Sequence, residues 1–334
     1  MSRIHVLKPG QMTTVQDLGR PGWQRYGVTP GGAVDACALR LANLLTGNSE
    51  NAAALEITAA GPTLRFAEET LVAVAGAEFE ASVDGIRLPA WRPVRLGAGA
   101  ELTIGTARTG LRCYLAVAGG LAVPRVLGGR GTHLAAGFGG FDGRALRNGD
   151  VLKIGPPTAW AKRFTPTLVG AESMVAARWE VGAAVRPKYT TAPVVRVMRG
   201  PQWEAFDAVV HARFLAERFV VDARSDRMGL RLSADGGGLL KQPIGEIVSE
   251  GVVTGAVQVP PDGQPIVLLA DRQTVGGYPK IAIVASVDLP LLAQLRSGDS
   301  VTFSEISIVD AQELWMANER LLATVRQGIA LHAV

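Results

Sequence analysis

Apolar and polar residues alternate over short stretches along most of this chain, which is the period of β-strands. Such stretches lie at 70–88, 94–105, 112–120, 150–155 and 194–200. Within the stretch 70–88 stands Asp84-Gly85, a dipeptide that favours the two-residue turn of a β-hairpin. The pattern therefore predicts a mainly β protein built from many short strands.

Three segments have apolar residues at helical spacing instead. They are 35–47, 203–219 and 310–332. Asp35 is placed to cap the first helix, because its carboxylate can accept backbone N–H groups of the first turn, and Gly47 is placed to end it. We interpret all three as peripheral helices that cover a β core.

Two stretches, "LRNGDVLKI" at 146–154 and "LRSGDSVTF" at 295–303, share L-R-x-G-D followed by alternating apolar residues. Each lies at the end of a strand-rich half of the chain. Two weaker sequence similarities between the halves occur in the same order. This internal similarity predicts two related β-rich domains. The predicted parts are a first domain at 1–155, a connector at 156–193, a second domain at 194–310 and a C-terminal helix at 311–334.

The chain has 334 residues, of which 48% are hydrophobic and 19% charged, enough for two domains with cores of their own. Its net charge is only +4, and the arginines are scattered singly, so we expect no nucleic-acid partner. No apolar run is long enough for a membrane span or a secretory signal. We therefore expect a cytoplasmic protein with no membrane partner.

Several kinds of site are disfavoured by the spacing of the reactive residues. Cys37 and Cys113 lie far apart, and the four histidines are scattered, so we expect two buried cysteines and no metal site. The chain contains no G-x-S-x-G motif of serine hydrolases. It also contains no Gly-Lys pair, which excludes a P-loop for phosphates.

Four segments carry more polar side chains or glycines than ordinary turns need. They are 14–35, 127–150, 223–236 and the loop within "LLADRQTVGGYPKIAIVASVDLP" at 268–290. Together they offer carboxylates that can orient arginines, arginines that can bind a carboxylate substrate, and a lysine and a tyrosine for proton or charge chemistry. Glu250 is a nearby carboxylate. The glycine-rich segment is interpreted as a flexible loop or lid.

The stretches "TVQDLGRPGWQRYGV", "GGFDGRALRNGD", "SDRMGLRL" and "LLADRQTVGGYPKIA" resemble the signature segments of one family, and the similarity covers nearly the whole chain. Its members are called 5-oxoprolinase C subunits, allophanate hydrolase subunit 2-like proteins or biotin-dependent carboxyltransferase-family proteins. The resemblance implies a mainly β fold with a tandem of two cyclophilin-like β-barrel domains. That expectation agrees with the two strand-rich halves.

For function, the resemblance implies the C subunit of an ATP-dependent 5-oxoprolinase, a hydrolase complex that opens 5-oxo-L-proline to L-glutamate. Its expected partners are a smaller cyclophilin-like protein, similar to the B subunit, and a lactam-binding protein, similar to the A subunit. ATP would be used by the complex, at a site not identified in this chain. One alternative is the carboxyltransferase subunit of a biotin-dependent system, with the biotin carried elsewhere because no Ala-Met-Lys-Met sequence occurs. Another is a non-catalytic regulator that binds the smaller partner.

The resemblance also implies roles for ten residues. The expected catalytic residues are Lys280, Tyr278, Asp271 and Asp17. The expected substrate-binding residues are Arg20, Asp226, Arg227, Arg272, Gln273 and Glu250. In this scheme the arginines bind a carboxylate or phosphate, the aspartates orient them or act as bases, and Gln273, Tyr278 and Lys280 stabilise an oxyanion.

Overall fold

The computed structural model describes residues 2–163, 173–234, 236–240, 245 and 247–331. Its contacts divide the chain into two compact units. The first unit comprises Met1–Arg20, Gly31–Pro187 and Arg320–Val334, and the second comprises Pro21–Pro30 and Lys188–Glu319. The short segment Pro21–Pro30 thus belongs to the second unit although it lies near the start of the chain.

The first unit is built on one antiparallel sheet of ten strands. They are β1 (Arg3–Lys8), β2 (Met12–Gln16), β3 (Ala54–Thr58), β4 (Thr63–Phe66), β5 (Thr70–Val83), β6 (Ile86–Arg87), β7 (Val94–Leu96), β8 (Glu101–Val117), β9 (Val151–Lys153) and β10 (Met174–Ala176). The main path runs β10-β7-β5-β8-β4-β1-β9, with β2–β3 joined to β8 and β6 joined to β5. The long strands β5 and β8 form its centre and contribute many buried apolar side chains to its core.

Two local predictions for this unit are confirmed. Helix α1 (Ala36–Leu45) begins at Asp35, whose carboxylate accepts the N–H of Ala38 at 2.9 Å. Strands β5 and β6 form the predicted hairpin, with Val83 opposite Ile86. Both of its turn residues, Asp84 and Gly85, have the positive φ values (47° and 83°) that the tight hairpin turn requires.

The predicted connector contributes to the first unit. Its residues include helix α2 (Ala159–Arg163) and β10, which pairs with β7. Residues 164–172 of the connector and 332–334 of the predicted last helix lie outside the described residues. Of the two cysteines expected to be buried, Cys113 is buried but Cys37 is only partly so.

The second unit contains a closed seven-stranded barrel. Its strands, in chain order, are β11 (Val194–Arg199), β12 (Phe219–Val221), β13 (Gly229–Ala234), β15 (Ala256–Gln258), β16 (Ile266–Leu268), β18 (Lys280–Val284) and β19 (Ser300–Glu305). Their order around the barrel is β11-β18-β15-β16-β13-β12-β19. The remaining strands, β14 (Glu250–Gly251) and β17 (Val275–Gly276), form a separate pair. The mainly β prediction is confirmed, with a barrel in one unit and an antiparallel sheet in the other.

The helix predicted at 203–219 is wrong in its extent. A short 3₁₀ turn (Trp203–Ala205) ends at Phe206, whose backbone is extended. Asp207 then caps α3 (Ala208–Ala216), accepting the N–H of Val210 at 2.8 Å. An aspartate favours such a cap over a helix interior, so the apolar spacing is split in two. The other helices are α4 (Leu289–Leu292) and α5 (Ile308–Leu331).

The repeated L-R-x-G-D sequence forms the same turn in both units. The Asp150 carboxylate accepts the N–H of Arg147 at 2.7 Å, and the Asp299 carboxylate accepts that of Arg296 at 2.8 Å. The turn glycines have φ values of 86° and 88°. Each turn also exchanges two backbone hydrogen bonds with one valine of a neighbouring strand, and these valines are Val6 and Val221. The sequence echo is therefore a structural one at this turn.

A cluster of three phenylalanines fastens α3 to the barrel. The ring of Phe214 on α3 is stacked 4.7 Å from that of Phe303 on β19, and Phe219 on β12 lies 5.6 Å from Phe303. All three side chains are almost completely buried. Burying aromatic rings in such a cluster is a main source of stability for a small barrel.

Phe214→Ala should lower the free energy of unfolding by about 3–5 kcal/mol, because it removes a buried ring and leaves a cavity. Val209→Ala is a matched control on the same helix, since Val209 is exposed, and it should change stability by less than about 0.5 kcal/mol. Urea denaturation followed by circular dichroism measures both. Equal losses in the two variants would contradict this account of the core.

Candidate functional site

The ten residues expected to form a site divide between the two units. Asp17 and Arg20 belong to the first unit, and the other eight belong to the second. Each group is described within its own unit.

Asp17 holds the glycine-rich loop of the first unit. Its buried carboxylate accepts the backbone N–H groups of Gly19 (2.8 Å), Arg130 (2.6 Å) and Gly131 (3.1 Å). A carboxylate in such a ring of donors is a structural anchor. A bound phosphate would compete with Asp17 for the same N–H groups, so this part of the loop does not fit a nucleotide phosphate. The expected catalytic role of Asp17 stays a prediction.

Arg20 is directed to the same loop. The guanidinium lies 4.8 Å from the centre of the Phe138 ring and donates a hydrogen bond to the carbonyl of Gly131. Its side chain is 1% exposed. These contacts place Arg20 in the packing of the loop, and its expected substrate-binding role stays a prediction. The glycine-rich segment, which we expected to be flexible, is held against β2 and the turn after it by the side chains of Asp17 and Arg20.

Lys280 begins β18 and is 2% exposed. Its Nζ lies 2.8 Å from Oε1 of Glu250, whose side chain is 45% exposed. The amide of Gln202 joins the two residues, since its Nε2 donates to Glu250 at 2.9 Å and its Oε1 accepts the Lys280 N–H at 3.0 Å. The contact with Lys280, followed by the hydrogen bond from Gln202, lowers the pKa of Glu250. Lys280 is thus a buried cation with one half-exposed counter-ion.

Gln258 lies beside Lys280 and was not among the site residues predicted from the sequence. It lies opposite Lys280 in the β15–β18 pairing and is 2% exposed. Its Oε1 accepts a hydrogen bond from Gln273 at 3.2 Å, while its Nε2 has no acceptor among the described residues. A Cβ on Gly276 would lie 2.5 Å from that Nε2, so glycine is what leaves room for the amide. The available signal was a lone polar residue in the apolar run "AVQV".

Arg272 is a second buried cation, 3% exposed. Its Nη2 donates to Oε1 of Gln24 at 3.2 Å, whereas Nε and Nη1 have no acceptor among the described residues. No carboxylate of the described residues lies within ion-pair distance of Arg272. Burial lowers the pKa of its guanidinium. Gln24, also missed from the sequence, is held by the carbonyls of Val252 (2.8 Å) and Thr274 (3.3 Å).

Arg227 and Asp271 form a buried ion pair with each other. Nε and Nη2 of Arg227 contact the two carboxylate oxygens of Asp271 at 2.8 and 3.1 Å, and the Asp271 N–H donates to the Arg227 carbonyl at 2.9 Å. Asp226 accepts the N–H groups of Met228 and Gly229 and so shapes the turn before β13. These three residues hold two loops together, and their expected roles in chemistry and substrate binding stay predictions.

The last two candidates lie in the loop between β16 and β18. Tyr278 is half-buried, and Gln273 is exposed and bonded to Gln258 as described. Their roles in oxyanion stabilisation stay predictions.

The buried polar groups around Lys280 and Arg272 favour one kind of ligand. Gln258 Nε2 and two nitrogens of Arg272 are buried donors without an acceptor among the described residues, and the buried Lys280 Nζ has the Glu250 carboxylate beside it. Leaving buried donors unsatisfied costs free energy, which an acceptor-bearing ligand recovers. The arrangement therefore suits a carboxylate or a developing oxyanion. We call these residues, with Glu250, Gln202 and Gln24, the amide–cation cluster.

No metal site and no membrane span emerges from the described residues. Among them, no three His, Cys, Asp or Glu side chains are grouped so as to hold a metal ion. None of the helices in that part of the chain is both long and apolar enough to cross a bilayer.

The barrel of the second unit thus carries buried lysine, arginine and amide donors. The family model "Carboxyltransferase domain, subdomain A and B" matches residues 26–305, and the chain belongs to this family. The match includes all of the amide–cation cluster except Gln24.

Named relatives fall into two groups. The chain is 38% identical over 315 residues to the 5-oxoprolinase C subunit of Escherichia coli, covering 92% of this chain and 93% of the relative. It is 37% identical over 325 residues to the 5-oxoprolinase C subunit of Haemophilus influenzae, covering 97% and 98%. The crystal structure of Kluyveromyces lactis urea amidolyase is similar with a TM-score of 0.84 and 30% identity, covering 97% of this chain but 20% of that longer one.

Replacing Glu250 by Gln should flatten the acid dependence of stability. Because the folded pKa of Glu250 is lowered, its ion pair stabilises the fold above the unfolded pKa of about 4.3, and this contribution is lost as the pH falls through the lowered value. The wild-type free energy of unfolding should therefore fall more steeply than that of Glu250→Gln between roughly pH 5 and 3.

Urea denaturation at several pH values measures the two slopes. Glu313→Gln is a matched control, since Glu313 is an exposed glutamate on α5, and it should keep the wild-type slope. Parallel curves for wild type and Glu250→Gln would contradict the ion pair with Lys280.

Proposed function

We propose that this chain is the C subunit of an ATP-dependent 5-oxoprolinase, which opens 5-oxo-L-proline to L-glutamate. Two relatives with that name match almost their whole length, which supports the proposal. The observation that carries it at the level of residues is the amide–cation cluster. Its buried donors suit a substrate that has a carboxylate and an amide carbonyl.

The substrate's carboxylate would bind Arg272. That guanidinium is buried, lacks a carboxylate partner among the described residues and is fixed by Gln24. A planar guanidinium with two unused N–H groups matches the two oxygens of a carboxylate.

The amide carbonyl would lie at Lys280 and Gln258. When water adds to the ring carbonyl carbon, the C=O electrons move onto oxygen, and the Lys280 ammonium and the Gln258 amide would stabilise that charge. The ring C–N bond then breaks, and its nitrogen takes a proton to become the amino group of glutamate. Glu250 and Gln202 would hold Lys280 in position.

ATP supplies the driving force for opening an unstrained lactam. We assign no ATP site to this chain, and two companion proteins, one smaller and cyclophilin-like and one lactam-binding, complete the proposed complex. We place the complex in the cytoplasm. Within it, this chain's residues bind the anionic groups of the substrate and stabilise the oxyanion.

Lys280→Ala should reduce glutamate formation by the reconstituted complex about 100-fold or more, because it removes the main oxyanion stabiliser. The assay mixes this chain with its companion proteins, ATP and 5-oxoproline. Lys188→Ala, at an exposed lysine of the same unit, is the control and should retain wild-type activity. A Lys280→Ala complex as active as wild type would contradict the assigned role, and an inactive wild-type complex would contradict the proposed function.

Arg272→Met should raise KM for 5-oxoproline about 10–100-fold with a smaller change in kcat, as expected when a charged hydrogen bond to the bound substrate is lost. Arg224→Met, at an exposed arginine, serves as the control. Steady-state kinetics separate the two constants. If kcat alone falls, Arg272 does not bind the ground-state carboxylate.

Carboxyl transfer is the second candidate, favoured by the name of the matching family and by the similarity to urea amidolyase. The same Lys280 would then stabilise the enolate-like anion of biotin. Incorporation of bicarbonate into urea that depends on ATP and biotin, tested with the same preparation supplemented with a biotin carboxylase and a biotinylated carrier protein, distinguishes the two activities.

A further inference from the structure

Arg272 is a buried cation whose side-chain partner is a neutral amide. Buried charges are ordinarily paired with an opposite charge, and Lys280 and Arg227 both contact a carboxylate. Arg272 instead donates to the amide oxygen of Gln24 at 3.2 Å. The adjacent Asp271 does not serve, because both of its oxygens contact Arg227. No carboxylate of the described residues therefore balances the charge of Arg272.

The other contacts of Gln24 fix which end of its amide faces Arg272. Nε2 donates to the backbone carbonyls of Val252 at 2.8 Å and Thr274 at 3.3 Å. Both groups are acceptors only, so the NH₂ end of the amide must face them and the oxygen must face the guanidinium. The reversed amide would set its oxygen against two carbonyls and its NH₂ against a group that only donates. Gln24 thus holds Arg272 in one orientation without adding a negative charge.

The segment Pro21–Pro30, which carries Gln24, is attached to the loop of Arg272 at a second point. The buried hydroxyl of Thr29 donates to the carbonyl of Ala270 at 3.3 Å. The segment and the loop both belong to the second unit. A substitution of Gln24 therefore leaves another contact that keeps the segment in place.

The amide leaves one complete edge of the guanidinium for a ligand. A guanidinium binds a carboxylate along either of two edges, which pair Nη2 with Nε or Nη2 with Nη1. Nη2 carries two hydrogens, and Gln24 accepts one of them. Neither Nε nor Nη1 has an acceptor among the described residues. A carboxylate can therefore bind Arg272 along the remaining edge, and no second carboxylate of the described residues opposes it.

We propose that Gln24 is a positioning residue that determines specificity: it orients Arg272 and leaves its charge to the ligand, so the site selects a lactam with a carboxylate over a neutral lactam. The choice of a lactam rests on the proposed function. A glutamate at position 24 would have nearly the same shape, but its charge would neutralise the guanidinium and repel the carboxylate of the ligand. Specificity here depends on the partner of Arg272 being neutral.

Isothermal titration calorimetry of the reconstituted complex without ATP tests the proposal. The ligands are 5-oxoproline and 2-pyrrolidinone, which has the same ring without the carboxylate and is measured by competition. Wild type should prefer 5-oxoproline by about 10-fold or more, the effect of a charged hydrogen bond. Gln24→Glu should weaken 5-oxoproline binding about 10–100-fold and change that of 2-pyrrolidinone by less than about 3-fold. Gln312→Glu adds the same charge at an exposed glutamine of the same unit and should match wild type.

Unchanged 5-oxoproline affinity in Gln24→Glu would overturn the proposal, and so would a wild-type complex that prefers neither lactam. An equal loss for both lactams would also overturn it, because that pattern indicates damage to the site and not a change of charge. The two proposals fail separately. A complex that shows the expected affinities but forms no glutamate with ATP ends the oxoprolinase function, whereas an active complex that ignores Gln24→Glu ends the role of Gln24.

Discussion

Desolvation of cationic side chains is the constraint on which the second unit depends. Lys280 and Arg272 are both withdrawn from water, and a buried charge is tolerated only where other groups replace its hydration. Lys280 is compensated by a half-exposed glutamate, and Arg272 by an amide oxygen of the segment Pro21–Pro30. The compensation is incomplete in both cases. In the proposed function, an incoming anion would find these donors already dehydrated and positioned.

Two of the candidate aspartates are held by neighbouring groups within their own units. Asp17 accepts three backbone N–H groups, and Asp271 has both oxygens on Arg227. Carboxylates committed in this way shape loops and keep arginines in place. Gln258 Nε2 and two nitrogens of Arg272, by contrast, have no acceptor among the described residues.

Structural features that form within a few residues could be predicted from the sequence, whereas those that depend on distant residues could not. The Asp35 cap, the Asp84-Gly85 turn and the repeated L-R-x-G-D turn each form within a few residues, so their sequence patterns were sufficient. The split at Asp207 was missed because the apolar spacing on either side suits one helix. Gln24 was missed for a different reason, since its partner Arg272 is 248 residues away. Lys280 was found by its motif, but its burial against Glu250 and Gln202 depends on the barrel.

Each unit is assembled from separate segments of the chain, which affects how the protein folds during synthesis. The chain passes from one unit to the other at residues 20, 30, 187 and 319, so neither unit is a continuous piece of polypeptide. During synthesis the first unit lacks Arg326, which pairs with Glu50, until the whole second unit has left the ribosome. A cut near residue 187 would deprive the second unit of Gln24 and so of the support for Arg272. The two halves share one repeated turn, but a single cut in the chain does not separate the two units.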